Sequence, residues 1–178
     1  MDALRERLPD YARDLRLNIS SVLTRQGAPG LSEGQLWMTA LAAAIASRNA
    51  LLARAVEADA ALRLTPAETE AARSAAAIMG MNNVYYRFLH LVEDEEYAKL
   101  PARLRMNVIS SPGIPKADFE LISLAVSAVN GCGRCVTAHE RVLRQQAVGR
   151  EAVQSAVRIA SVIHAVAGVL DYEAARAA

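Results

Sequence analysis

Aromatic residues are scarce in this chain of 178 residues, where they make up only 4% of the sequence, and cysteine occurs only twice. Alanine dominates the apolar residues instead, and it has the highest helix propensity and little preference for strands. Segments that alternate polar and apolar residues over the length of a strand are also lacking. The sequence therefore predicts an all-α fold, and its length suits one domain, 1–178, with a core of its own.

An excess of charge is also missing, since the formal net charge is only +1. Without a clustered basic face, nothing indicates binding to nucleic acid or to an anionic membrane surface. No uninterrupted apolar run reaches the roughly 20 residues of a membrane-spanning helix. The N-terminal segment MDALRERLPDYARDLRLNI is charged throughout, so we expect no signal peptide and a cytoplasmic location. In that compartment two cysteines are more often catalytic or metal-binding than a structural crosslink.

Helix-start patterns divide the chain into amphipathic helices. The segments Ser32–Gln35 and Thr65–Glu68 each place a glutamine or glutamate three residues after a hydroxyl residue, which predicts two capping boxes. Two prolines and a glycine between Ser110 and Glu120 predict a loop. Helices are predicted over about 9–24, 36–48, 51–64, 66–92, 116–129, 132–147 and 150–173.

A weak internal repeat relates two parts of the chain at an offset of 85 residues. It places Gln35-Leu36-Trp37 opposite Glu120-Leu121-Ile122, and Ala75–Ile78 opposite Ala160–Ile163. The repeat indicates a duplicated helical unit, although chance matching between two alanine-rich helices stays open as an explanation. In a duplicated chain, an N-terminal unit of about 1–95 would be a scaffold, and a C-terminal unit of about 96–178 would carry both cysteines.

The two cysteines lie in the segment Asn130–Glu140, which reads NGCGRCVTAHE. Because asparagine and glycine both tolerate the conformation that ends a helix, Cys132 is predicted at or near the start of the next helix. The free N–H groups and the dipole of a helix N-terminus favour a thiolate there. Cys135 lies one turn further on and can form a disulfide with Cys132. His139 falls on the same helical face, four residues after Cys135.

Three interpretations of the cysteine pair stay open from these residues: a redox dithiol, a zinc site, or two small buried side chains. Zinc could take Cys132, Cys135 and His139, but a closed structural site needs a fourth ligand. The other histidines, His90 and His164, have no recognisable ligand spacing, and His164 is expected to be buried. The redox interpretation is favoured because two cysteines, a histidine and a helix start coincide, and the helix dipole alone makes Cys132 the nucleophile.

Glu120 is a further candidate, twelve residues before Cys132 on the preceding helix. If the Asn-Gly turn folds that helix back along the cysteine helix, this carboxylate can relay a proton or orient His139. The alternative is an exposed glutamate in a first turn, where it complements the helix dipole.

The pattern Glu120-x11-Cys132-x-x-Cys135-x3-His139 resembles that of the AhpD-type alkylhydroperoxidases, within the carboxymuconolactone decarboxylase-like superfamily. The resemblance extends over essentially the whole chain and is clearest in three segments: Ala76–Arg87, Leu104–Leu121 and Ala125–Glu140. It implies an all-helical fold built from a duplicated unit, and assembly into homotrimers.

The resemblance also implies a function, namely an antioxidant peroxidase that reduces alkyl hydroperoxides and regenerates the peroxiredoxin AhpC. Electrons would pass from NADH through dihydrolipoamide dehydrogenase to a lipoyl-bearing acyltransferase, and from its dihydrolipoamide to the cysteine pair. No metal or bound cofactor is expected. Two alternatives remain: a redox adaptor without significant peroxidase activity of its own, and a decarboxylase-like enzyme of the superfamily, against which the cysteine pair argues.

For the individual residues, the resemblance implies that Cys135 is the attacking thiol, which forms a sulfenic acid or a mixed disulfide with AhpC. Cys132 would be the resolving thiol and proton donor, and Glu120 and His139 would relay protons. This order reverses the one that the helix dipole suggests. Some relatives carry histidine where this chain has Arg134, and because arginine stays charged we expect its role to be electrostatic.

Overall fold

The computed structural model describes residues 1–177, and in this range it contains ten α-helices, a short 3-10 helix at Asp10–Ala12 and no β-strand. The all-α prediction is confirmed over these residues. The helices are Asp2–Arg5 (α1), Arg13–Val22 (α2), Glu33–Ala46 (α3), Ala50–Ala60 (α4), Pro66–Leu91 (α5), Glu95–Lys99 (α6), Asn107–Ser110 (α7), Lys116–Val129 (α8), Gly133–Gln145 (α9) and Arg150–Ala177 (α10).

Side-chain caps begin α3, α4 and α5, as the sequence predicts for two of them. Ser32 Oγ accepts from the Gln35 backbone N–H at 3.1 Å, and the Gln35 side chain accepts from the Ser32 backbone at 2.9 Å. Thr65 and Glu68 form the same reciprocal pair at the start of α5. Asn49, which interrupts the helical pattern in the sequence, caps α4. Each cap satisfies backbone N–H groups that have no partner within the helix.

Several local expectations differ from the structure. The helix predicted from Pro9 divides into a 3-10 helix and α2, and the short helices α6 and α7 occupy a region where the sequence predicts none. Helices of four or five residues carry too few periodic positions to be recognised. The expectation for His164 is wrong, because this residue is exposed on α10.

The hydrophobic core is one cluster that draws side chains from both halves of the chain. At its centre are α3 and α8, which contact each other and also pack against α5 and α10. Nine consecutive residues are buried in each of them, Leu36–Ala44 and Phe119–Ser127. A helix buried on all sides has no solvent-facing stripe. Within Phe119–Ser127, a polar side chain without a partner inside the protein is therefore destabilising.

The helix order α3–α4–α5 recurs as α8–α9–α10, with similar lengths. Moving Ala50–Ala60 by the offset of 85 gives 135–145, and α9 covers Gly133–Gln145. The helix bounds thus follow the repeat found in the sequence. The division near residue 95 and the scaffold role of the first unit stay predictions.

Helix α10 is long and apolar enough, by length and composition, to cross a membrane, since an 18-residue window has a mean hydropathy of 1.5. In the structure, 44% of that window is buried within the protein, against α2, α3 and α8. A helix at the core of a globular domain has the same composition, so α10 carries no membrane assignment. The cytoplasmic location stays a prediction.

Substitution of two glycines by alanine tests how backbone geometry affects the stability of the helical core. Gly30 has φ +80°, and a Cβ atom there would lie 2.9 Å from the Ala152 backbone nitrogen. We expect Gly30→Ala to lower the free energy of unfolding by about 1–3 kcal/mol. Gly168, inside α10, has open space around a Cβ, so Gly168→Ala should raise that free energy by about 0.5–1 kcal/mol. Urea unfolding measures both, and equal stability of the two variants would contradict the steric argument.

Candidate active site

The turn between α8 and α9 places the cysteine pair. Asn130 is the C-cap of α8, and Gly131 follows with φ +69°, a left-handed conformation that glycine adopts without a steric penalty. Cys132 is then the N-cap residue of α9, as the Asn-Gly pair predicts. α9 folds back against α8, so side chains on the two helices can meet.

Cys132 and Cys135 are joined in a disulfide, and their surroundings differ. Cys132 is fully buried at 0% exposure, and its Sγ accepts a hydrogen bond from the Cys135 backbone N–H at 3.3 Å. Cys135 is 7% exposed and lines a surface cavity. A molecule that enters this cavity therefore meets Cys135 and not Cys132.

Glu120, which is buried, and His139, which is partly buried, form a pair, and His139 lines the same cavity as Cys135. Glu120 Oε2 lies 2.7 Å from His139 Nδ1, and the two side chains are only 8% and 14% exposed. The expectation of an exposed glutamate is thus wrong, because α8 is buried along this stretch. When the carboxylate is ionised it can only accept hydrogen bonds, and Nδ1 is then the donor. The bond offsets the cost of burying the carboxylate and leaves Nε2 free for another partner.

The cavity beside Cys135 has a volume of about 340 Å³ and mostly apolar walls. Helix α5 contributes three side chains, α7 and the residue before it contribute two, and α9 contributes the rest. In chain order these are Met79, Asn82, Tyr86, Met106, Ile109, Arg134, Cys135, Ala138 and His139. Two of the four predicted site residues, Cys135 and His139, therefore line it, while Cys132 and Glu120 lie behind them.

Arg134 lies at the edge of this cavity, with its guanidinium carbon 5.9 Å from the centre of the Tyr86 ring. A cation over the face of an aromatic ring is held by a modest attraction. This stacking keeps a permanent positive charge near Cys135. The electrostatic role expected for Arg134 stays a prediction.

The remaining histidines take no part in the site. His90 is exposed on α5, and His164 Nδ1 lies 3.4 Å from Ser47 Oγ. Throughout residues 1–177, no group of three or more His, Cys, Asp or Glu side chains is arranged to hold a metal ion.

Comparisons with known proteins bear on the whole chain. Residues 95–178 match the Carboxymuconolactone decarboxylase family. A protein named Alkyl hydroperoxide reductase AhpD from Rhodospirillum centenum is 58% identical over 175 residues, which cover 98% of this chain and 92% of the relative. The protein of the same name from Frankia alni is 60% identical over 164 residues, which cover 92% of this chain and 87% of the relative. The protein of the same name in Streptomyces coelicolor is 53% identical over 178 residues, covering 100% and 98%.

This chain belongs to the alkyl hydroperoxide reductase AhpD family.

All four predicted site residues lie within the segment 95–178 that matches the carboxymuconolactone decarboxylase family. The AhpD relatives also cover α5, which precedes that segment and lines the cavity. The site is therefore assembled from both halves of an AhpD-family chain.

A polar network supports the turn, and the sequence analysis missed it. The Asn83 amide donates to Ser127 Oγ at 2.9 Å and accepts from the Asn130 side chain at 2.9 Å. Arg87 donates to the Asn130 carbonyl at 2.7 Å, and the Cys132 backbone N–H donates to the Ser127 carbonyl at 3.1 Å. In the sequence, the Asn82-Asn83 pair weakens the prediction of α5. Two residues of low helix propensity inside a long helix are in fact a sign of side-chain contacts.

Asn83→Ala tests whether this network holds the turn. The substitution leaves the Asn130 amide and the Ser127 hydroxyl without their partner, so we expect the free energy of unfolding to fall by about 1–3 kcal/mol. Amide hydrogen exchange at Cys132 should also accelerate. Ser161→Ala, which removes an exposed hydroxyl from α10, is the control and should change stability by less than about 0.5 kcal/mol. Unchanged exchange at Cys132 would show that the turn does not depend on Asn83.

Proposed function

We propose that this protein is a thiol-dependent antioxidant enzyme that reduces alkyl hydroperoxides and regenerates the peroxiredoxin AhpC, with electrons from dihydrolipoamide. The observation that carries the proposal is the disulfide whose cavity-lining member, Cys135, lies beside the buried Glu120–His139 pair. The name of the relatives, Alkyl hydroperoxide reductase AhpD, supports the hydroperoxide substrate and the AhpC system. The electron donor follows the family resemblance.

Reduction of the disulfide begins with attack by one dihydrolipoamide thiolate on Cys135 Sγ, the sulfur that meets the cavity. A bond forms between the donor sulfur and Cys135, and the Cys132–Cys135 bond breaks. Cys132 leaves as a thiolate at the N-cap of α9, where the Cys135 N–H group and the helix dipole stabilise it. The second donor thiol then closes the lipoyl disulfide and releases Cys135.

The reduced pair passes its two electrons to either acceptor. With a hydroperoxide, the Cys135 thiolate attacks the distal oxygen and the O–O bond breaks. The alcohol departs, and Cys135 becomes a sulfenic acid. Cys132 attacks that sulfur, expels water and restores the disulfide. With oxidised AhpC, Cys135 forms a mixed disulfide with the partner, and Cys132 resolves it to release reduced AhpC.

His139 and Glu120 move the protons in this scheme. His139 lies one turn after Cys135 on α9, and its imidazole can take the thiol proton and later protonate the departing alkoxide. Glu120, at 2.7 Å from Nδ1, fixes the orientation of the ring and stabilises the imidazolium. Cys132 serves as the resolving thiol and proton donor.

A coupled assay tests the proposal on the full chain, with NADH, dihydrolipoamide dehydrogenase, a lipoyl domain and an alkyl hydroperoxide, each run with and without AhpC. We expect Cys132→Ser and Cys135→Ser each to reduce NADH-dependent turnover to background. Cys132→Ser should accumulate a mixed disulfide through Cys135, whereas Cys135→Ser should not. His139→Ala should slow turnover by about 10²-fold or more.

His164→Ala is the matched control, because His164 is exposed on α10 and does not line the cavity. Its turnover should equal that of the unmodified chain. Full activity in both serine variants would end the proposal. Turnover that occurs only when AhpC is present would identify a redox adaptor instead of a peroxidase.

Assembly into homotrimers is part of the proposal and follows the family resemblance. An exposed apolar stripe on α5 supports it: Val84, Phe88 and Leu91 are 59%, 46% and 69% exposed. They recur at intervals of four and three residues, so they share one helical face. Burial of such a stripe between copies of the chain would remove apolar surface from water.

Sedimentation equilibrium should give three times the chain mass of 19.1 kDa. Phe88→Asp should shift the population towards monomer, because a carboxylate would be buried in the contact. Leu62→Asp makes the same change at a side chain that is 80% exposed outside the stripe, and it should leave the mass unchanged. A monomeric unmodified chain would contradict the trimer.

A further inference from the structure

One buried amide in the cavity beside Cys135 has no partner. Asn82 lies on α5, is only 4% exposed, and lines the cavity. Its Oδ1 makes no hydrogen bond in the described part of the chain, residues 1–177. A buried oxygen without a partner is destabilising, and asparagine is a poor helix former. The fold therefore gains nothing evident from this side chain, in contrast to its neighbour Asn83.

The surroundings of Asn82 indicate what would satisfy it. The cavity is walled mainly by Met79, Met106, Ile109 and the Tyr86 ring. Apolar walls with a few polar groups, here Asn82, Arg134 and His139, are the arrangement by which a binding site takes an apolar body and fixes the direction of its polar end. A ligand that fits has an alkyl or aryl group and a hydrogen-bond donor close to Cys135.

We infer that Asn82 binds and orients the –O–O–H group of an alkyl hydroperoxide for attack by Cys135. This inference rests on the proposed function and adds to it a residue that recognises the substrate. In the structure Oδ1 has almost no solvent-accessible surface, so the amide group turns within the cavity wall when the substrate binds. Oδ1 then accepts a hydrogen bond from the terminal O–H, and the amide N–H of the same side chain donates to the other oxygen. The alkyl group lies against Met79, Met106 and Ile109.

This arrangement serves the chemical step. The Cys135 thiolate forms a bond to the distal oxygen, which keeps its hydrogen and becomes the hydroxyl of the sulfenic acid. The O–O bond breaks, its electron pair goes to the proximal oxygen, and the alkoxide takes a proton from the His139 imidazolium to leave as the alcohol. Asn82 holds the distal oxygen towards Cys135, and its N–H stabilises the charge that develops on the proximal oxygen.

The same side chain has little to offer the electron donor. A thiol is a weak hydrogen-bond donor, and a disulfide has no donor at all. Reduction of the Cys132–Cys135 bond by dihydrolipoamide should therefore proceed without Asn82. The two halves of the catalytic cycle thus depend differently on this residue, which separates a role in recognition from a role in folding.

Asn82→Leu tests the inference, because leucine is similar in size and lacks both polar atoms. In the prereduced full chain, the rate constant for oxidation by cumene hydroperoxide, followed by thiol loss, should fall roughly tenfold to a hundredfold. Reduction of the oxidised chain by dihydrolipoamide should stay within about twofold of the unmodified rate. The melting temperature should not fall, since the substitution removes a buried oxygen without a partner.

Ser123→Ala is the matched control. Ser123 Oγ is also buried without a partner in the described residues, but Ser123 does not line the cavity. This variant should keep both rates. An Asn82→Leu chain that reacts normally with the hydroperoxide would overturn the inference. Equal slowing of both half-reactions together with a lower melting temperature would also overturn it, by assigning Asn82 to the fold.

Failure of the proposed function gives a different result. In that case the unmodified, prereduced chain itself would not react with cumene hydroperoxide, and the inference would fall with the peroxidase activity. Normal oxidation of the unmodified chain with an unaffected Asn82→Leu variant would leave the proposed function standing and remove only the inference.

Discussion

The burial of α8 on all sides is the constraint on which the site depends. Nine consecutive residues of this helix are buried, and three of its polar side chains, Glu120, Ser123 and Ser127, are among them. Glu120 finds His139 on α9, and Ser127 finds Asn83 on α5. The helix at the centre of the core is therefore tied by hydrogen bonds to the helices on either side of the disulfide. Packing and catalytic geometry share the same side chains.

Polar side chains that look like defects in the core mark the site. Asn82, Asn83 and Glu120 are all buried polar side chains: Asn82 lines the cavity around Cys135, Glu120 pairs with His139 of the cavity wall, and Asn83 supports the turn before Cys132. Two of them have partners inside the protein, while Asn82 Oδ1 has none in residues 1–177. Local rules of helix formation are broken where the chemistry needs a donor or an acceptor.

Local patterns explain which parts of this arrangement the sequence could predict. The capping boxes at Ser32 and Thr65, the turn at Gly131 and the common face of Cys135 and His139 each depend on residues within one or two helical turns. The burial of Glu120 depends on four helices packing around α8, so an exposed position was equally open from the sequence. The Asn82-Asn83 pair likewise reads as a weak point of α5 from the sequence alone, because the partners of Asn83 lie 44 and 47 residues away.

The sulfur of Cys132 is at once half of the disulfide and the capping atom of α9. A thiolate accepts a hydrogen bond from a backbone N–H more strongly than a disulfide sulfur does, so each two-electron reduction strengthens the end of the helix it belongs to. Thermodynamic linkage makes this reciprocal: a better-formed α9 terminus favours the reduced pair, and a frayed one favours the disulfide. The stability of the helix terminus and the redox equilibrium of the cysteine pair are thereby coupled. Substitutions in the first turn of α9 would shift the balance between the disulfide and the reduced pair without changing either sulfur.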